Sequence, residues 1–215
     1  MRCKWNIRPQ GKKSSQPVYS NISAFPLINC QHTTHGKDNL VQSDYNYVFE
    51  LIDEFFADDH IQKRFSIINS FDISGWEIWF QIEFSHFLAT HLSRPEWYRE
   101  FPIEYDKRKE KNKSFFKPDF IIRKKGWKID TYTAIEIKQH PSVTSCIKNM
   151  IKDIEKVSKM KSSQLDMRTL WVLGIFKANK EDDLDELVNE YVDDDYATYL
   201  TTDFIGDTGF AYVMF

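Results

Sequence analysis

No stretch of this 215-residue chain approaches the roughly 18 consecutive apolar residues of a membrane span, so no spanning helix is expected. Arg2 and Lys4 charge the first residues, but no apolar run follows them, and no secretory signal is expected. The three cysteines, Cys3, Cys30 and Cys146, cannot all pair and show no CxxC spacing, which makes a reducing, cytoplasmic compartment the expectation. HExxH, GxSxG and a Walker-type glycine loop are all missing, which removes support for a zinc protease, a serine hydrolase or a P-loop enzyme. There is no internal repeat and no low-complexity tract. Lys and Arg are absent after Lys180.

That last absence exposes a segregation of charge. Residues 181–215 hold 11 acidic side chains, while the first 180 carry all 29 basic ones against 21 acidic. Residues 107–128 alone hold ten Lys or Arg against Glu110 and Asp119. Basic density of this kind can form an electrostatic footprint for a phosphate backbone, or be a solvated loop. With 41% hydrophobic and 15% aromatic residues, the chain has enough apolar surface for a sizeable core.

Residues 1–42 are polar and lack a sustained period, so they read as an irregular arm ahead of a single domain over 43–215. Cys30, His32 and His35 in that arm offer three donors at unusual spacing with no fourth, which favours a loop over a zinc site. Helical periodicity predicts helices over Ser43–Asp59, Ser74–Leu92, Ser142–Met160 and Asp182–Val192. Strands are expected at Arg99–Tyr105, Phe115–Arg123, 129–138 and Thr169–Phe176, with closing strands around Tyr199–Thr201 and Phe210–Phe215. The order of helix, three strands, helix and strand predicts an α/β sandwich around a mixed sheet.

Chemistry concentrates in Lys117-Pro118-Asp119-Phe120 and Ala134-Ile135-Glu136-Ile137-Lys138. Strand side chains alternate, so Glu136 and Lys138 share one face while Ile135 and Ile137 share the other. A carboxylate and an ammonium in an apolar strand are costly to bury without partners. Asp119 opens the preceding strand, and a hairpin can set it beside Glu136. Two close carboxylates are hard ligands suited to Mg²⁺ or Mn²⁺. Such a centre suits phosphodiester hydrolysis, with Lys138 orienting the nucleophile or offsetting transition-state charge. A structural salt bridge is the plainer alternative.

The pattern resembles the PD-(D/E)xK nuclease superfamily, which includes restriction endonucleases, Holliday junction resolvases and repair nucleases. Pro118-Asp119 matches the PD element and Glu136-Ile137-Lys138 matches ExK, within an organisation running from roughly Ser74 to Phe176. The resemblance implies a restriction-endonuclease-like fold and a Mg²⁺-dependent DNA endonuclease of restriction, defence or mobile-element type. It also implies a metal contact from the Ile137 carbonyl and a further acid from the preceding helix. Glu77 and Glu83 compete for that role. Ser74 and Glu77 fit a capping box, which explains Glu77 structurally, so Glu83 is favoured. His91 near the same face reads as a packing histidine.

An RNA endonuclease with the same metal centre stays open, as does a catalytically silent nucleic-acid-binding or assembly subunit. A homodimer or a protein partner is also open, though no dimer seam is readable. Phosphate contacts are expected from Lys107, Arg108, Lys109, Lys111, Lys113 and Lys117. A second set is expected from the α-helical stripe Lys148, Lys152, Lys156 and Lys159. One geometric condition decides whether the two carboxylates can meet. A tight turn centred on Gly126 would set Asp119 opposite a residue near Thr133. The metal-centre reading instead requires paired numbers summing to about 255, with a connection over roughly 124–131 and Trp127 near its tip.

Overall fold

Val48, Leu51, Ile52, Phe55 and Phe56 recur at helical spacing, and the chain forms a helix there. In the computed structural model, which describes residues 35–107, 113–158, 160–163, 165–192 and 199–215, that helix is α1 (His35–Ala57). It begins ahead of the expected boundary at residue 43, while Cys3, Cys30 and His32 lie outside the described residues. A helix not anticipated from the sequence follows directly, α2 (Asp59–Ser70). Its cap, Asp58, accepts a hydrogen bond from the His60 amide at 2.7 Å, and Ile61, Phe65 and Ile68 turn inward. The third helix, α3 (Glu77–Thr90), is capped by Trp76 without a side-chain bond. The capping box expected between Ser74 and Glu77 is therefore not formed. Gly75, at φ +71°, turns the chain between them.

Two of the expected strands are each divided. Arg99–Tyr105 becomes β1 (Glu96–Arg99) and β2 (Ile103–Lys107), and Phe115–Arg123 becomes β3 (Lys113–Phe116) and β4 (Phe120–Arg123). The break in the first has a local cause. Glu100 adopts φ +50°, a conformation that costs a side-chain-bearing residue about 1 kcal/mol or more, and its amide donates to the Asp119 carbonyl at 3.0 Å. In the second, Lys117-Pro118-Asp119 is the hinge between sheets, and Pro118 has no amide hydrogen for a ladder.

The remaining strands are β5 (Thr131–Gln139), β6 (Met160–Ser163), β7 (Asp166–Lys177), β8 (Thr201–Phe204) and β9 (Phe210–Met214). They form a six-stranded sheet ordered β1-β4-β5-β7-β9-β8 and a three-stranded sheet ordered β3-β2-β6. Among the described residues only β5 and β7 run parallel, and α4 (Val143–Val157) makes the crossover between them. A short α5 (Leu184–Asn189) follows β7. The result is the mixed sheet flanked by helices that the element order predicts. Among the described residues no helix is long and apolar enough to cross a membrane.

Alternation along the central strands builds two cores. Phe120, Ile122, Ile135, Ile137, Trp171 and Leu173 pack with α1, α2 and α3. Ile121, Ala134, Val172 and Phe176 pack with α4 and α5. Neither face is left to solvent, which is why β5 and β7 read as nearly unbroken apolar runs.

The register of β4 and β5 meets the condition set by the sequence. Phe120 lies opposite Ile135, Ile121 opposite Ala134 and Ile122 opposite Thr133, each pair summing to 255. The connection does not project its tryptophan. Trp127 folds back against the Tyr47 ring, centroids 5.6 Å apart, and under the Arg168 guanidinium at 4.1 Å.

On the parallel ladder Lys138 stands opposite Gly174. A Cβ at Gly174 would press on the Met150 thioether, 3.0 Å from Cys146 Sγ and 3.1 Å from Val213 Cγ1. The missing side chain is what lets α4 lie close behind Lys138. Gly174→Ala is therefore expected to destabilise the chain by about 1–3 kcal/mol, read as a lowered urea midpoint with an unchanged m-value.

Candidate active site

Asp119 stands one residue before β4, next along the ladder that pairs Phe120 with Ile135, and so beside Glu136. Its carboxylate is held on two sides. Oδ1 accepts from Gln81 Nε2 of α3 at 2.8 Å, and Oδ2 accepts from the Ile137 amide at 2.7 Å. Burial raises the Asp119 carboxyl above its ordinary value, against the opposing pull of the Ile137 amide and the Lys138 charge.

Glu136 is 8% exposed and lies against Asp119. Burial first, and the Asp119 charge second, push its carboxyl up to about 8. Both carboxyls are raised, and the charge of Asp119 adds to burial in disfavouring ionisation of Glu136. An unpaired, ionised Glu136 is thus disfavoured in the folded chain near neutral pH.

Lys138 projects from the same face as Glu136, its Nζ 3.6 Å from Glu136 Oε2 and 2.7 Å from Asp153 Oδ2. Burial alone would lower the ammonium's pKa. The bond to Asp153 and the charges of Glu136, Asp153 and Asp119 more than reverse this, so Lys138 stays protonated.

Of the two acids weighed on α3, it is Glu77 and not the expected Glu83 that feels the charges of Asp119 and Lys138. Burial raises the Glu77 carboxyl, followed by the charge of Asp119, while Lys138 pulls it down, so it sits within the field of both. Glu83 is engaged elsewhere. Its Oε1 accepts from Trp79 Nε1 at 3.1 Å and lies 3.9 Å from His60 Nε2. The capping argument misassigned the pair because the helix starts at Glu77 itself, so Glu77 caps nothing. His91 is a structural residue, bonded to Glu54 Oε2 at 2.9 Å and Ser93 Oγ at 2.7 Å.

Two participants were not singled out from the sequence. Gln81 follows Glu77 by one helical turn and therefore shares its face. Asp153 lies among the inward residues Met150, Ile154 and Val157 of α4, where an acid is conspicuous. Cys146 packs beneath the site, its Sγ 3.7 Å from the Lys138 carbonyl, and burial pushes the thiol up to about 12. Burial thus disfavours the thiolate that nucleophilic attack needs.

Of the expected phosphate contacts, Lys117 is exposed and pairs with Glu100 at 3.0 Å, and Lys148 and Lys152 are exposed on α4. Lys107 ends β2 and Lys113 opens β3, while Arg108, Lys109, Lys111 and Lys159 lie outside the described residues. Lys156 is tied to Asp153.

As to a metal, no group of three or more His, Cys, Asp or Glu side chains among the described residues is arranged to hold an ion. The donors brought together are two carboxylates, Asp119 and Glu136, with the backbone of Ile137 against them. That donor set is hard, and a cation beside it would offset the burial and charge that disfavour an ionised Glu136. Comparison with protein-family models, with curated protein sequences and with solved structures found no match.

Proposed function

We propose that this chain is a metal-dependent nuclease of PD-(D/E)xK type that hydrolyses phosphodiester bonds, most simply a DNA endonuclease. The observation that carries this reading is the β4–β5 register. It sets Asp119 beside Glu136 at the buried end of a sheet, with Lys138 on the same face. The order α3, β1, β4, β5, α4, β7 supports a restriction-endonuclease-like core, in which β2, β3 and β6 form an added sheet.

Asp119 and Glu136 would hold Mg²⁺ or Mn²⁺, joined by the Ile137 carbonyl, with Glu77 at the rim. A divalent cation supplies Lewis-acid polarisation of a phosphoryl oxygen and acidifies bound water. The chain's own residues do the rest. Gln81 and the Ile137 amide fix the Asp119 carboxylate, so its orientation does not depend on ligand. Lys138 presents a fixed positive charge where negative charge develops on the phosphoryl group. The apolar layer behind Ile135 and Ile137 limits water on that side.

The test is incubation with supercoiled, linear and branched DNA, single-stranded DNA and structured RNA, in Mg²⁺, Mn²⁺ or chelator. Divalent-dependent cleavage lost in Asp119→Asn supports the reading, and the favoured substrate separates DNA from RNA. Cleavage that survives chelation, or none on any substrate, sinks it.

The lysines of α4 give a separate prediction. Charge reversal at Lys148 and Lys152 should weaken binding of all sequences alike and flatten the salt dependence of log K by about 1 per lysine. A titration series from low to high salt reads this. An unchanged slope assigns both to a solvated face.

A further inference from the structure

Lys138 is the most flexible member of the site. Its four-carbon stem carries about 2 kcal/mol of rotamer entropy, and its ammonium is a point charge with no fixed fork geometry. A charge-stabilising group has to be held to within roughly 0.5 Å to be effective. Glu136 cannot do this alone, because 3.6 Å between Nζ and Oε2 is beyond a hydrogen bond. The contact that meets the distance is with Asp153 Oδ2, at 2.7 Å.

Asp153 is well placed to act as an anchor. It sits on α4, whose neighbouring Met150, Ile154 and Val157 are buried against the sheet, and its own side chain is 14% exposed. Its other oxygen pairs with the exposed Lys156. The close approach of α4 over Gly174, directly opposite Lys138, brings this helix within reach.

The cost of placing Asp153 there argues for a role beyond stability. It adds a further negative charge to a centre already holding Asp119, Glu136 and Glu77, and it adds to the repulsion that Glu136 feels. A salt bridge chosen for stability alone gains nothing from that neighbourhood.

We propose that Asp153 is the positioning residue for Lys138, holding its ammonium over the reacting phosphate without itself contacting metal or substrate. This rests on the nuclease reading. It also predicts that Asp153 is absent from the metal's donor set, although it is the acid nearest Lys138.

The experiment compares the full chain with Asp153→Asn and Asp153→Glu, each first checked for a cooperative thermal transition. Plasmid cleavage in Mg²⁺ gives kcat and KM, calorimetry gives Mn²⁺ affinity, and NMR of ¹⁵N-lysine-labelled protein follows the Lys138 ammonium. Asp153→Asn is expected to lower kcat by about 10- to 100-fold, with KM and Mn²⁺ affinity changed by less than about threefold. The Lys138 ammonium signal, protected from exchange in the parent, should broaden away. Asp153→Glu should restore part of both kcat and the signal, which a purely structural role would not require. Unchanged kcat, or an unchanged ammonium signal, overturns the proposal. So does a tenfold or greater loss of Mn²⁺ affinity, which would make Asp153 a metal ligand. A parent chain that cuts no substrate strikes down the nuclease reading and this proposal with it. A parent that cuts no faster than Asp153→Asn strikes the positioning role alone.

Discussion

Glu136→Gln is expected to abolish divalent-dependent cleavage while raising the melting temperature at alkaline pH. The loss of activity should be on the order of 10³-fold, because the neutral amide keeps the shape but holds a hard cation far more weakly than a carboxylate and carries no charge to set against Lys138. The gain in stability follows from the direction of the proton shift. The Glu136 carboxyl rises from 4.5 in the unfolded chain to about 8 in the fold. Between those values the folded chain holds a proton that the unfolded chain has released, so stability falls as pH rises through this window. The glutamine variant has no such proton. Its melting temperature should match the parent at about pH 4 and exceed it at about pH 9, where the stability gap is on the order of 5 kcal/mol. Thermal melts across that range, without metal, read the widening gap. Adding Mg²⁺ should close it from the parent's side, since a ligand that binds only the folded form stabilises it by mass action. A gap that is constant with pH would mean that Glu136 is ionised and satisfied in the apo fold. The physical case for a cation there would then be lost.

The same residue shows how far the sequence could be read. Glu136 and Lys138 were assignable to one face because strand alternation has period 2, and the irregularity in β5 falls at Tyr132–Thr133, ahead of both. The register with β4 could be posed as a single arithmetic condition, and the ladder meets it. What stayed illegible depends on contacts distant in the chain. Nothing local announces that Glu100 will take φ +50° and send β2 into a second sheet, because the partner that stabilises it is the carbonyl of Asp119. The helix acid was misread for a related reason. Ser-Gly-Trp-Glu satisfies the capping pattern in composition, yet α3 starts after Trp76 with no side-chain cap, and Glu77 is left within the field of Asp119. Asp153 is masked in the sequence by the outward lysines of α4, although its place between Met150 and Ile154 on the buried side is countable.

Arg168→Met is expected to be the most destabilising single change away from the active site. Asp44 of α1 is fully buried, and Arg168 of β7 meets it with two bonds, Nε to Oδ2 at 2.8 Å and Nη2 to Oδ1 at 2.7 Å. Removing the guanidinium leaves a carboxylate with no water and no counter-charge, which typically costs about 3–5 kcal/mol. For a chain of this size that lowers the melting temperature by on the order of 10 °C. Burial already lifts the Asp44 carboxyl above its ordinary value, outweighing the bonds and charge of Arg168 that oppose it. The pair therefore does not fully offset its own desolvation and adds little to net stability. Asp44→Leu combined with Arg168→Met should recover most of the loss, and a double-mutant cycle measures the coupling. The guanidinium also lies 4.1 Å over the Trp127 ring, in the connection that follows β4. If that contact helps fix the β4–β5 register, the double variant should fold stably yet lose part of its activity, because Asp119 and Glu136 depend on that register to meet. Full activity in the stable double variant would confine Arg168 to pairing with Asp44.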